Sequence, residues 1–214
     1  MINKKRVAAI ALAVTTPLFC LTGSASQRLE EALAGVTAPE SQTAEAITDT
    51  STTEESETSE QIVWEGKNFT HNETEVLNFF QEQGITDKAA LATLLGNVKQ
   101  ESKFTPDICE GGHRTTYYGC RSGGYGLIQW TTSDRYYGLG RHSQKIGGNP
   151  STLPTQLSYL ITERQWKVIQ HRMRQPGQSI GYYMNAAYSW LGWGVHGART
   201  HYSHQYYNSL VPTK

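Results

Sequence analysis

One glutamate stands out as a group that could perform acid–base chemistry. Glu101 follows Leu91, Leu94, Leu95 and Val98, which recur at helical spacing. At ~100° per residue, Glu101 projects within ~20° of Leu94, so it lies on the buried face of the predicted helix. Loss of hydration raises the pKa of a carboxyl group and keeps it protonated, as a proton donor requires. A glutamate capped by backbone or paired with an arginine would show the same pattern.

A turn rich in glycine and aromatic residues follows at positions 123–130, GGYGLIQW. Its glycines allow the backbone to approach a ligand closely. Tyr125, Gln129 and Trp130 offer ring faces and an amide, which suit a sugar ring with an apolar face and a polar rim. Ordinary core packing of these aromatic side chains is the alternative.

Between the glutamate and this turn, Cys109 and Cys120 bracket a loop. Cys20 lies in a segment that we expect to be removed, so the mature chain would hold only these two cysteines. In an oxidising compartment a disulfide between them is the simplest expectation. It would stabilise the fold by roughly 3 kcal/mol. A Cys–His dyad with His113 is the sharper alternative, but a bonded thiol is no nucleophile.

A second carboxylate would decide the type of chemistry. If the substrate were a glycoside, hydrolysis by two carboxylates would place the pair ~5–5.5 Å apart for retention of configuration and ~6.5–9.5 Å apart for inversion. Asp107, Glu110 and Asp134 are the candidates, and Glu110 is best placed because its loop faces the helix end. The alternative is that Glu110 is an exposed loop charge. Without a partner for Glu101, substrate-assisted cleavage would be the natural choice.

The elements that must position these groups are mostly helices. The pattern predicts a helix capped by Thr70 or Asn72 that stops at Gly84, and a second one capped by Thr86 and stopped by Pro106. Clustered Thr and Tyr at 115–118 predict a short hairpin. Two further helical segments follow in the C-terminal third, separated by Pro176-Gly177. The first has apolar positions Leu153, Leu157, Leu160 and Ile161, continued by Val168, Ile169 and Met173, and the second has Met184, Ala187, Tyr188 and Leu191.

Charge divides the chain into three parts. Residues 1–25 carry Lys4, Lys5 and Arg6 before an apolar run and small residues, as in a cleaved secretory signal. Cys20 raises a lipid-anchored alternative. Residues 26–66 hold one arginine against ten acidic residues, and their few large apolar side chains predict a disordered linker. Residues 67–214, with fifteen Lys/Arg against nine Asp/Glu, form the predicted domain.

The composition also bears on partners and cofactors. The excess positive charge of residues 67–214 fits an anionic cell wall. No clustered basic stripe supports nucleic acid as a partner. His196, His201 and His204 match no compact zinc-ligand spacing, so we predict neither a metal nor another cofactor. We expect a periplasmic or secreted monomer that has no membrane span once the signal is cleaved.

The ordered combination of GNVKQESKF and GGYGLIQW resembles the phage tail lysozyme-type domain of the lysozyme-like superfamily. It is more loosely similar to soluble lytic transglycosylases and goose-type lysozymes. The likeness extends over about residues 73–210 and implies an α+β, predominantly helical fold. The small loop or hairpin subdomain of that fold would carry the one disulfide. The Ala-Tyr-Asn motif of the transglycosylases is not intact here, because Ser189 follows Tyr188.

The resemblance implies cleavage of peptidoglycan between N-acetylmuramic acid and N-acetylglucosamine, with Glu101 as the general acid. The turn at 124–130 would form part of the saccharide groove, with Ser102, Gln129 and Tyr188 in contact with substrate. Two other outcomes stay open. One is a lytic transglycosylase that releases anhydro products, and the other is an inactive module that only binds peptidoglycan.

Overall fold

The computed structural model describes residues 62–213, and this part of the chain is mainly helical. The predicted signal (1–25) and residues 26–61 of the predicted linker lie outside the described residues. The elements in chain order are β1 (Trp64–Gly66), α1 (His71–Glu82), α2 (Lys88–Ser102), a 3₁₀ turn (Tyr117–Gly119), α3 (Ser133–Ile146), α4 (Leu153–Leu160), α5 (Arg164–Met173), α6 (Ile180–Leu191), α7 (Arg199–Ser209) and β2 (Leu210–Pro212).

Helix α2 is the central element of the described part. Every residue from Ala89 to Val98 is buried, so the predicted apolar stripe is only part of its contact surface. The helix packs most extensively against α7, and also against α6 and α1. Gly96 permits the contact with α7, because a Cβ there would lie 2.6 Å from the backbone nitrogen of Ser203. This close approach brings the first turn of α7 beside the last turn of α2.

Helix caps explain where the first two helices begin. Thr70 caps α1 in a capping box with Glu73, as one of the two predicted caps. The predicted cap of α2 is wrong by one residue, since Asp87 rather than Thr86 accepts the backbone N–H groups of Ala89 and Ala90. The predicted apolar residues of α2, which are Leu91, Leu94, Leu95 and Val98, are all buried in the core.

A two-stranded antiparallel sheet closes the fold, with Trp64 opposite Pro212 and Gly66 opposite Leu210. Trp64 also donates its indole N–H to the carbonyl of Thr86 at 2.8 Å. Strand β1 thus lies within residues that the composition assigns to the linker. The strand could not be predicted from the sequence, because the surrounding residues are acidic and three residues are too few to show a periodicity.

The predominantly helical α+β class is confirmed, and so is the single disulfide between Cys109 and Cys120. The hairpin predicted at 115–118 is wrong, because Tyr117 and Tyr118 form part of the 3₁₀ turn and Thr116 precedes it. The first predicted C-terminal segment is in fact two helices, α4 and α5. The placement of Val168 and Tyr188 on apolar helix faces is also wrong, since both side chains are exposed, whereas Ile169 and Met173 are buried. Within residues 62–213, none of the helices has the length and apolar content needed to span a bilayer.

Candidate active site

Glu101 lies in the last turn of α2, on the side where that helix meets α7. Its side chain is only 14% exposed. Burial raises the pKa of the carboxyl group above its ordinary value, although Arg199 and Arg135 both act to lower it. The pKa therefore changes in the direction expected from the helical spacing. At this position the carboxyl group can hold a proton and give it up.

The chain turns sharply directly after Glu101. Lys103 has φ +51° and Phe104 has φ +60°, so two consecutive residues other than glycine lie in the left-handed region. Phe104 is buried, with its ring 5.9 Å from that of Tyr206. This turn, rather than Pro106 as predicted, ends α2. Strained backbone is often retained at functional sites, where the surrounding structure maintains it.

Arg199 is the charged partner of Glu101. Its side chain is 5% exposed, and one guanidinium nitrogen donates to Oε1 of Glu101. The sequence offered an arginine-paired glutamate as one interpretation but did not identify the arginine. A second arginine, Arg135 of α3, forms a bidentate ion pair with the buried Glu163, at 2.7 and 2.9 Å.

The loop closed by the disulfide places Glu110 next to the glycine-rich turn. The Glu110 backbone N–H donates to the carbonyl of Gly124 at 2.8 Å, and its carboxylate accepts the N–H of Gly124 at 3.1 Å. Gly123 leaves room for this carboxylate, because a Cβ there would lie 1.8 Å from Oε2. Glu110 is exposed, and its carboxylate holds the turn in place. A role as the second catalytic carboxylate remains a prediction.

The turn itself is closed by two backbone hydrogen bonds between Tyr125 and Trp130, of 3.3 and 2.9 Å. Gln129 has φ +53° and donates its side-chain amide to the carbonyl of Gly126 at 3.0 Å. It is partly exposed, so it can reach a ligand.

Tyr125 and Trp130 lie beneath the turn and have no exposed surface. The hydroxyl of Tyr125 donates to Ser151, and the indole of Trp130 donates to Glu163. A saccharide cannot stack on either ring without displacing protein. These two predicted substrate contacts therefore act as packing residues in this structure, which is the alternative that the sequence left open.

Ser102 and Tyr188, two further predicted substrate contacts, differ in their exposure to solvent. Ser102 is buried, and its hydroxyl lies 3.4 Å from the carbonyl of Val98 within its own helix. Tyr188 is 54% exposed, and the centre of its ring lies 5.2 Å from that of Trp193 in a T-shaped arrangement. Tyr188 is therefore the predicted aromatic residue that a ligand could reach.

Sequence reasoning missed the contribution of the loop between α6 and α7. The guanidinium of Arg199 lies 4.5 Å from the centre of the Trp193 ring. Gln100, next to Glu101, accepts the backbone N–H of Ala198 at 2.8 Å. A tryptophan in a short loop ahead of an arginine is only a weak indication of a functional site. The loop contacts α2 through residues almost a hundred positions apart in the sequence, so the contact could not be predicted.

Within the described range 62–213, no three His, Cys, Asp or Glu side chains converge as ligands for a metal ion. The histidines at the C-terminal end have other neighbours. The His196 ring lies 5.9 Å from that of Trp193, and the His201 ring lies 5.9 Å from that of Tyr202.

The domain is predominantly helical, with a small antiparallel sheet, one disulfide among the described residues and a desolvated glutamate at the end of its central helix, and this architecture is lysozyme-like. The chain belongs to the phage tail lysozyme family, whose profile matches residues 71–210. Neither the curated proteins nor the solved structures include a match to this chain. Membership of the family points to peptidoglycan-lytic activity and to peptidoglycan as the substrate.

Proposed function

We propose that this protein cuts the glycan strand of peptidoglycan between N-acetylmuramic acid and N-acetylglucosamine, with Glu101 as the general acid. The observation that carries the proposal is the burial of the Glu101 side chain at the end of α2, where it is 14% exposed, and this burial raises the pKa of its carboxyl group. A protonated carboxyl group can donate to the glycosidic oxygen as the bond breaks.

The surroundings of Glu101 suit the step that follows. Once the proton has left, the carboxylate faces Arg199 directly and Arg135 at longer range. Both cations stabilise the negative charge that develops on the acid. We assign contact with the saccharide to Gln129 and Tyr188, the two predicted residues with surface available to a ligand.

If the reaction is hydrolysis, we assign the role of the second catalytic carboxylate to Glu110. A lytic transglycosylase is the second candidate, and one observation favours it. The Asp107 carboxylate is paired with Arg114 at 2.9 Å, and that of Glu110 holds Gly124, so two of the three candidate carboxylates have structural partners. In a substrate-assisted reaction the acetamido or hydroxyl group of the sugar would replace the second carboxylate.

The location of the protein is part of the same proposal. A peptidoglycan-cleaving enzyme must reach the cell wall, and the predicted signal at 1–25 would export it to the periplasm or the medium. A monomer is sufficient for the chemistry.

Mass spectrometry of fragments released from purified peptidoglycan tests these options. Reducing ends support hydrolysis, and anhydro ends support transglycosylation. Glu110→Gln should abolish release in the first case and leave it near the parent rate in the second. Binding to insoluble peptidoglycan with no released fragments, even from the parent protein, would indicate an inactive binding module and refute the proposed chemistry.

A further inference from the structure

A single guanidinium group connects Glu101 to the loop between α6 and α7. Arg199 donates through one terminal nitrogen to Oε1 of Glu101. Through the other it donates to the carbonyl oxygens of Val195, at 3.0 Å, and His196, at 2.7 Å. The carboxyl group and the loop at 192–198 are therefore held from the same side chain.

Most residues of the loop are exposed. Gly192 ends α6 with φ +66°, and Val195 and His196 are exposed. Its second attachment to α2 is the hydrogen bond from Ala198 to Gln100. Gly197, with φ +61°, allows this contact because a Cβ there would lie 2.8 Å from the Gln100 amide carbon. Gln100 of α2 thus binds Ala198 directly, while Arg199, itself paired with Glu101, binds the carbonyl groups of Val195 and His196.

In its observed orientation Arg199 leaves one of its hydrogen-bond donors without a partner. Its Nε is buried and has no hydrogen-bond partner among residues 62–213. An unsatisfied buried donor in a native structure calls for an explanation, and such groups occur where function fixes a side chain. Here the guanidinium is held between Glu101, two loop carbonyls and the face of Trp193.

The two carboxyl oxygens of Glu101 are not equivalent. Oε1 receives Arg199, whereas Oε2 has no hydrogen-bond partner in the described part of the chain and is not buried. Because a cationic donor occupies Oε1, a proton on the carboxyl group is placed on Oε2. General acid catalysis requires that oxygen to lie within hydrogen-bond reach of the atom it protonates.

We propose that Arg199 is a positioning residue for the general acid: it fixes Oε1 of Glu101 against the 192–198 loop and leaves Oε2 to carry the proton. This inference rests on the proposed function of Glu101. It predicts that the orientation of the acid and its affinity for the proton both depend on Arg199.

The charges around Glu101 give the direction of the second effect. Arg199 of α7 and Arg135 of α3 favour the ionised carboxylate, against the effect of burial. His196 is the titratable group of the loop, and Lys99 on α2 itself pairs with Glu73 instead. Loss of Arg199 therefore removes the largest effect that lowers the pKa. If Glu101 stays protonated to higher pH, the alkaline limb of the pH–rate profile moves to higher pH.

The test compares Arg199→Met and Arg199→Lys in the full-length protein. We measure kcat/KM on solubilised glycan strands against pH, together with the thermal midpoint. Arg199→Met should lower the rate at the optimum by about 100-fold, the cost of a misplaced catalytic group, and should move the alkaline limb to higher pH. Arg199→Lys should restore the limb but only part of the rate, because an ammonium lacks the planar fork of a guanidinium. Arg174→Met is the matched control, since Arg174 is exposed and donates to the carbonyl of Gln83, before the first turn of α2, so its loss should change neither quantity.

Two results would overturn the inference. One is an Arg199→Met enzyme with the rate and pH profile of the parent. The other is a loss of rate that only follows the folded fraction, with an unmoved limb. If Arg199→Met does not fold, the Lys variant decides, since an unchanged rate and profile would exclude positioning by the fork. Full activity of Glu101→Gln would instead refute the proposed function itself, so the two failures are distinguishable.

Discussion

Replacing both Cys109 and Cys120 by alanine should destabilise the domain without unfolding it at room temperature. The bond links residues 11 positions apart. A loop of this length corresponds to about 3 kcal/mol of stabilisation at 25 °C in the chain-entropy account. For a domain of this size each kcal/mol shifts the thermal midpoint by about 2–4 °C. The midpoint of the double variant should therefore fall by about 6–12 °C.

The loop should loosen locally as well, because the two cysteines border the Glu110 contact with Gly124. Backbone hydrogen bonds hold part of it independently, among them the bond from Cys109 to the carbonyl of His113 at 3.0 Å. We therefore expect slower lysis per folded molecule rather than complete loss.

Thermal unfolding with and without reductant measures the effect. Mass spectrometry first shows that both thiols of the reduced parent protein are free. The thermal midpoint of the reduced parent should then equal that of the double variant. The variant is its own control, since reductant should leave it unchanged. A parent whose midpoint does not move after complete reduction would refute the loop-entropy reasoning.

Three further predictions concern the surroundings of the site. Glu73 accepts hydrogen bonds from Tyr206 and Thr70, and these outweigh burial and lower its pKa, so Glu73→Gln should cost about 1.5–3 kcal/mol at pH 7. Because folding lowers the pKa of Glu73, the difference in free energy of unfolding between parent and variant should be present above the ordinary carboxyl pKa. It should shrink as the pH falls through the pKa of Glu73 in the folded protein. A difference in urea unfolding that persists unchanged at low pH would contradict this prediction. Gly126→Ala should destabilise by about 1–3 kcal/mol, since Gly126 has φ +77° and a Cβ would lie 2.7 Å from the Gln156 amide; an unchanged urea midpoint would argue against the strain. Tyr188→Ala should weaken binding to insoluble peptidoglycan with little change in thermal midpoint, since the ring is half exposed, whereas unaltered binding would remove Tyr188 from the groove.

The local features of the site could be predicted from sequence because they depend on neighbouring residues. Glu101 shares a face with Leu94 and Val98 in any helix, so its desolvation follows from the spacing alone. The cap at Thr70 and the disulfide likewise rest on short-range patterns or on a simple count of cysteines. These signals do not require knowledge of the tertiary packing.

The partners of the site could not be predicted because they come from distant parts of the chain. Arg199 is 98 residues from Glu101 and begins a helix whose polar sequence gives no clear apolar face. The aromatic residues of the turn show the same limit. A tyrosine or tryptophan is suited to both stacking and core packing, and only tertiary contacts show that Tyr125 and Trp130 are buried while Tyr188 is exposed.

The central claim is that Glu101 is the acid, and one comparison tests it most directly. Glu101→Gln keeps the size of the side chain but cannot donate the carboxyl proton, and Glu75→Gln on the exposed face of α1 is the matched control. We expect Glu101→Gln to release no fragments from purified peptidoglycan by mass spectrometry, while its binding to the insoluble polymer and its thermal midpoint stay close to those of the parent. Glu75→Gln should release fragments at the parent rate. Release by Glu101→Gln at the parent rate would contradict the assignment of the acid.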